Sequence, residues 1–190
     1  MKVRRGRTTP ASRWIGAAAV LLVGAGGAIA AQKTTNLTPG AAGSPHVRTE
    51  WVIDDANIAI EYGRPSLKGR ALKSFEWYGQ EWRTGADQAT TFKTDKALTF
   101  GSLAVPAGAY SLYTLTGDRP WQFILNKTLP SWGIPYPGQA SDLGRAPMRM
   151  SANATPVELL TIAIDDTREG ATLRIDWGAM RASVTFKVGP

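Results

Sequence analysis

"LTIAIDDTREGATLRIDW", residues 160–177, alternates apolar and polar side chains on both sides of a turn-rich centre. Leu160, Ile162 and Ile164 share one side of the first arm, and Leu173, Ile175 and Trp177 share one side of the second. Successive side chains of a strand point to opposite faces, so each arm reads as a strand with one buried face. An amphipathic helix would instead repeat its apolar residues every three or four positions. Asp165 through Gly170 supplies the turn between the arms.

The same period runs outward through the chain. "NIAIEY" sets Ile58, Ile60 and Tyr62 against Asn57, Ala59 and Glu61, and "YSLYTL" sets Tyr110 and Leu112 against Ser111 and Tyr113. "WQFIL" sets Trp121, Phe123 and Leu125 against Gln122 and Ile124, and "SVTFKV" turns Val184, Phe186 and Val188 inward. Asp54-Asp55, Pro106 through Gly108, and Gly117-Asp118 punctuate these runs with turn residues. Only residues 67–80 leave room for a short helix. Many short strands with short connections predict an all-β fold, an antiparallel β-sandwich of jelly-roll or Ig-like type. Its expected core includes Ile58, Ile60, Leu112, Phe123, Ile162, Leu173, Trp177 and Phe186. "IDDANIAIEYGR" echoes "IDDTREGATLRIDWGAMR", and shared hairpin grammar explains the echo as well as duplication does.

The first residues differ in kind. Lys2, Arg4, Arg5, Arg7 and Arg13 precede "WIGAAAVLLVGAGGAIAA", residues 14–31, which carries no charge. Ala28-Ile29-Ala30 fits a signal-peptidase site, so residues 1–30 read as an export signal or, uncleaved, as an N-terminal anchor helix. The protein is then expected in the periplasm or another extracytoplasmic space. It would touch the inner membrane only through residues 14–31, if these are retained. Residues 31–47, rich in Thr, Ala, Gly and Pro, read as a flexible linker ending near His46, and residues 48–190 as the domain.

Composition excludes several functions. The net charge of +7 is mostly the leader's: from Ala31 onward 17 cations face 15 carboxylates. That balance lacks the footprint of a nucleic-acid binder. The absence of cysteine rules out disulfides, thiolate metal sites and a Cys nucleophile. The sole histidine, His46, falls in the expected linker, which argues against a Ser-His-Asp triad and a zinc site. Asp54-Asp55 and Asp165-Asp166 lack the spacing of an EF-hand calcium loop. No cofactor is implied.

The charged stretch "EYGRPSLKGR", residues 61–70, crowds Arg64, Lys68 and Arg70 between Gly63, Pro65 and Gly69. A stiff turn presents side chains with little freedom left to lose, which favours binding. A second loop, "EWRTGADQAT", carries Trp82 and Arg83. Where the two loops meet, Arg64, Lys68, Arg70 and Arg83 would frame an anion pocket with Trp82 as its wall, since guanidinium forks match carboxylate, sulfate and phosphate. Trp132 and Tyr136 in "SWGIPYPG" are expected to plug one end of the sandwich.

"IEYGRPSLKGR", "EWRTGADQATTF", "VPAGAYSLYTL", "WQFILNK" followed by "WG", "PVELLTIAIDD" and "LRIDWG" resemble, in this order, the bacterial domain-of-unknown-function family 2911. The resemblance covers roughly residues 44–188. It implies an exported, mostly β protein and carries no activity.

Three functions compete at this stage. The first is non-enzymatic binding of a small anionic or glycan-like ligand through Arg64, Lys68, Arg70, Trp82 and Arg83. The second is a glycosidase-like enzyme using Glu76, Glu81 or Glu158 as acid or base, which needs two carboxyls facing one cleft. The third is a structural or partner-binding envelope protein in which Arg64, Arg83 and Glu158 form a buried ion-pair network.

Overall fold

The hairpin at residues 160–177 is the inner part of a longer one. In the computed structural model, which describes residues 32–40, 43–130 and 132–189, Arg149–Thr167 (β11) pairs with Gly170–Val188 (β12) from Arg149↔Ser183 to Thr167↔Gly170. The Ile-Asp-Asp of this hairpin stays in the ladder. In the earlier hairpin, His46–Ile53 (β2) and Ala56–Gly63 (β3), Asp54 and Asp55 are the two-residue turn, with φ of 46° and 60°. Such turns need both central residues left-handed, and Asp tolerates that better than most residues.

The other strands are Lys33–Thr38 (β1), Glu81–Trp82 (β4), Ala86–Thr94 (β5), Leu98–Phe100 (β6), Leu103–Val105 (β7), Gly108–Leu115 (β8), Gln122–Asn126 (β9) and Asp142–Pro147 (β10). The larger antiparallel sheet runs β1-β2-β3-β5-β8-β9-β10, with β4 pairing β8, and the smaller runs β11-β12-β6-β7. The two sheets pack together, and the shared core joins Ile58, Ile60, Leu112 and Phe123 of the larger to Ile162, Leu173, Trp177 and Phe186 of the smaller. All eight expected core residues are buried. Among the described residues no helix is long and apolar enough to cross a membrane. The expected N-terminal helix and the signal-peptidase site lie outside the described residues.

Four expectations need correction. The stretch read as a flexible linker contains β1, paired to β2 from Lys33↔Glu50 to Thr38↔His46. His46 itself opens β2 and is buried. Polar β1 escaped notice because it is exposed at every position, so no apolar alternation marks it. Residues 67–80 hold only a 3-10 turn, Leu72–Ser74. Finally, β8 and β9 are buried on both faces, including Tyr113 and Ile124. The loop after β9 covers their outer side: Tyr136 packs edge-on against Tyr113 at 5.1 Å, and the Tyr113 hydroxyl donates to Gly133 O at 3.0 Å. Gly133 has φ of 77°, and a Cβ there would lie 2.9 Å from Ala89 Cβ, so the loop lies this close only with glycine. Trp132, expected as a plug, is 51% exposed.

Ile162→Ala should lower unfolding stability by about 2–5 kcal/mol in denaturant titration, because it empties a site at the sheet–sheet interface. Val52→Ala, on an exposed position of β2, should change it by no more than about 0.5 kcal/mol.

Candidate functional site

The charged stretch after β3 is a bridge between the two sheets before it is anything else. Arg64 N–H donates to Pro45 O at 2.9 Å, Leu160 N–H to Pro65 O at 3.0 Å, and Leu67 N–H to Glu158 O at 3.1 Å. The Arg64 guanidinium completes the bridge, donating to Leu160 O at 2.9 Å and Thr161 Oγ1 at 2.8 Å. Arg64 is thus directed onto β11, and it does not line the cavity formed by its neighbours. Gly63 serves through space and not through unusual angles: a Cβ there would lie 2.3 Å from Ala86 O and 2.6 Å from His46 Nε2.

Beyond the bridge the chain turns through Lys68 and Gly69, at φ of 50° and 74°. Glu158 holds this turn. Its carboxylate accepts the Ser66 hydroxyl and the Lys68 N–H, the latter at 2.7 Å. These bonds, the Ser66 one foremost, keep Glu158 below the usual carboxylate range. Arg70 folds back on the turn, donating to Leu67 O at 2.9 Å and Ser66 O at 2.8 Å, with its guanidinium 4.4 Å above the Phe75 ring.

Phe75 begins an aromatic stack. Trp77 stacks on Phe75 at 5.1 Å and on Trp82 at 4.2 Å, and Trp177 packs near-parallel to Trp82 at 5.6 Å. Trp82 is only 4% exposed and its indole N–H donates to Gly85 O, while Trp177 is fully buried. β4 buries Trp82 and leaves Glu81 partly exposed, as is Arg83 just beyond it.

Arg83 is the distinctive cation. Its Nη1 donates to Trp132 O at 3.0 Å and its guanidinium lies 5.2 Å from the Trp132 ring centre. Its Nε is buried without a hydrogen-bond partner. No carboxylate forms an ion pair with it among the described residues, the nearest electrostatic partner being Asp87 at longer range. Desolvation accordingly pulls its pKa down. Asp87 faces His46 instead, with Oδ2 3.5 Å from Nε2.

These parts surround one cavity of 370 Å³, with Lys68, Arg70, Arg83 and Glu81 among its polar lining and Phe75, Trp77, Trp82, Trp177 and Ile134 among its apolar lining. Four of the five expected binding residues therefore meet, and Arg64 stays apart. Backbone strain concentrates here too: Lys68, Thr84 and Asp87 adopt positive φ around the cavity. Of the carboxylates weighed for catalysis, Glu76 is exposed outside it, Glu158 serves the turn, and only Glu81 lines it. Glu81 is held by Arg145 at 3.2 Å, which also pairs with Asp142 at 2.8 Å. The network proposed for Arg64, Arg83 and Glu158 does not form, since each is bonded elsewhere. Sequence reading missed Phe75 and Ile134, single apolar residues in irregular segments with no period to mark them. Among the described residues no group of three or more His, Asp or Glu is placed to hold a metal ion.

Residues 44–186 match a protein family described as a protein of unknown function, DUF2911. No curated protein and no solved structure gives a match.

Glu158 stabilises the fold only while ionised. Because its folded pKa is lowered, its contribution is complete above the ordinary glutamate value of about 4.3 and is lost as pH falls through the lowered one. Glu158→Gln should lower Tm at pH 7, and the gap to the parent protein should close as pH falls below about 4. Thermal melts across pH check this.

Proposed function

We infer that this chain, which belongs to the DUF2911 family of unknown function, is an exported, non-enzymatic protein that binds a small anionic ligand in the cavity lined by Lys68, Arg70 and Arg83. One observation carries the reading: a half-buried Arg83 whose Nε lacks a partner and whose guanidinium has no ion-paired carboxylate among the described residues. Withdrawing a cation from water is costly unless an anion compensates it. An incoming carboxylate, sulfate or phosphate supplies that anion and meets the guanidinium at Nη2, since Nη1 donates to Trp132 O and Nε is buried.

The rings refine the ligand. Trp82 and Trp177 are spent on each other and on the core, so no broad free indole face awaits a sugar. Phe75, Trp77 and Ile134 offer a narrower apolar contact, which favours an anion with a modest apolar body over a glycan. Catalysis by paired carboxylates has less support, because Glu81 is the sole carboxylate of the lining among the described residues. We take the packed sheets as a β-sandwich of jelly-roll or Ig-like kind, carrying its binding loops at one end. Export rests on the cationic head, the apolar run and Ala28-Ile29-Ala30. Intact-mass analysis of the protein made in a bacterial host should give a chain beginning at Ala31, and a membrane-embedded chain beginning at Met1 would mark an anchor instead.

Binding is tested by thermal shift with sulfate, phosphate esters, short carboxylates and acidic sugars. A ligand at one hundred times its Kd should stabilise the fold by about 2.7 kcal/mol. Arg83→Ala should remove that gain while the unliganded protein melts near its parent temperature. Arg64→Ala should do the reverse, lowering Tm through loss of the contacts to Leu160 and Thr161 while keeping the anion response. If no anion shifts the melt and Arg83→Ala unfolds the domain, Arg83 is a structural residue and the binding reading fails.

A further inference from the structure

The segment after the bridge has two sides. Ser66, Lys68 and Arg70 line the anion cavity, while Leu67, Ala71 and Leu72 line a second recess beside it, with Arg70 common to both. This recess measures 630 Å³, within the roughly 300–1,000 Å³ of small-molecule sites. Leu67, Leu72, Met150 and Met180, all partly buried, form its walls together with Trp121. Its floor is small: Gly178 and Ala179 of β12 and Ala152 of β11, where the β11–β12 register shifts. A Cβ at Gly178 would come within 2.9 Å of Leu67 Cδ1, so glycine keeps this floor low. Methionine thioethers adapt to flexible apolar chains. Two cations line the recess: Lys73, which pairs with Asp118 at 2.6 Å, and Arg70, which lines the anion cavity as well. Two backbone carbonyls fix that guanidinium through Nε and Nη2, and Nη1 has no protein acceptor among the described residues.

We propose that the ligand is a single-chain anionic amphiphile, with its acidic head among Arg70, Lys68 and Arg83 and its alkyl chain in the recess between Leu67, Leu72, Met150 and Met180. This rests on the anion-binding reading above and adds the chemical class. Either recess alone binds half of such a molecule. Arg70 is the point where the halves join, and two carbonyls already orient its guanidinium there, which lowers the ordering the ligand must impose.

Titration of the full chain, followed by tryptophan fluorescence and calorimetry below micellar concentrations, separates the parts. Butanoate, hexanoate, octanoate and decanoate should bind progressively tighter, by about two- to fourfold per methylene. Decyl phosphate should bind as decanoate does, and decanol at least tenfold more weakly. Ala152→Trp, at an exposed position of the floor, should abolish the chain-length dependence and leave butanoate affinity unchanged. Met180→Asp should do the same and guards against a local rearrangement in the first variant. If butanoate binds and chain length has no effect, this proposal falls while anion binding stands. If no carboxylate and no decyl phosphate binds, this proposal falls, and if sulfate and short phosphate esters also fail to bind, the anion-binding reading falls with it. Decanol binding as tightly as decanoate would overturn the link through Arg70. Sedimentation with vesicles of phosphatidylglycerol, with no response to monomeric amphiphiles, would replace the single-chain ligand with a bilayer surface.

Discussion

The hydrogen bonds between the segment after β3 and the β11 strand are the constraint on which the rest of this molecule depends. Two sheets pressed together by apolar side chains are held by a force without direction. The contacts of Arg64, Pro65 and Leu67 with Glu158, Leu160 and Thr161 add direction, fixing which residues of the two sheets stand opposite each other. They also set the starting point of the turn that follows, and so the positions of Lys68 and Arg70. The cavity is a by-product of a tie between sheets, and its cations inherit the rigidity of that tie.

Charge in this region divides by what surrounds it. Arg64, on main-chain and hydroxyl oxygens, is satisfied. Arg70 is partly satisfied and leans on Phe75. Arg145 is satisfied several times over by Asp142, Glu81 and the Tyr136 hydroxyl, whose own proton is held up to about 12 by burial and the adjoining Asp142 carboxylate. Arg83 alone of these combines desolvation with a buried, unpartnered nitrogen. All four arginines look alike in sequence, and only their acceptors tell them apart.

Strands such as β12 were legible because one side of their alternation is dry and the other reaches solvent. Val184-Thr185-Phe186-Lys187 and Leu173-Arg174-Ile175 carry their exposure pattern in their letters. Tyr113 and Ile124 did not betray that their side of the sheet is also covered, since the cover comes from a distant loop whose fold depends on Gly133. Trp82 looked like a loop residue available to a ligand, yet β4 is a two-residue strand, too short to show alternation, and it turns that ring inward. The meeting of Lys68, Arg70 and Arg83 was anticipated from two Gly-punctuated loops. The direction of Arg64 was not, because the acceptors that claim it lie almost a hundred residues away.

Strand β1 has no share in the core. All six of its residues are exposed, and it joins the larger sheet along one edge only, through β2. Its attachment is main-chain hydrogen bonding without an apolar footing, and such segments open at the low end of a protein's free-energy scale. Peeling it away would leave the core sealed but would bare a row of unpaired N–H and C=O groups on β2, the template to which an extended chain from another molecule adds. The strand is therefore one whose loss takes no side chain from the core between the two packed sheets.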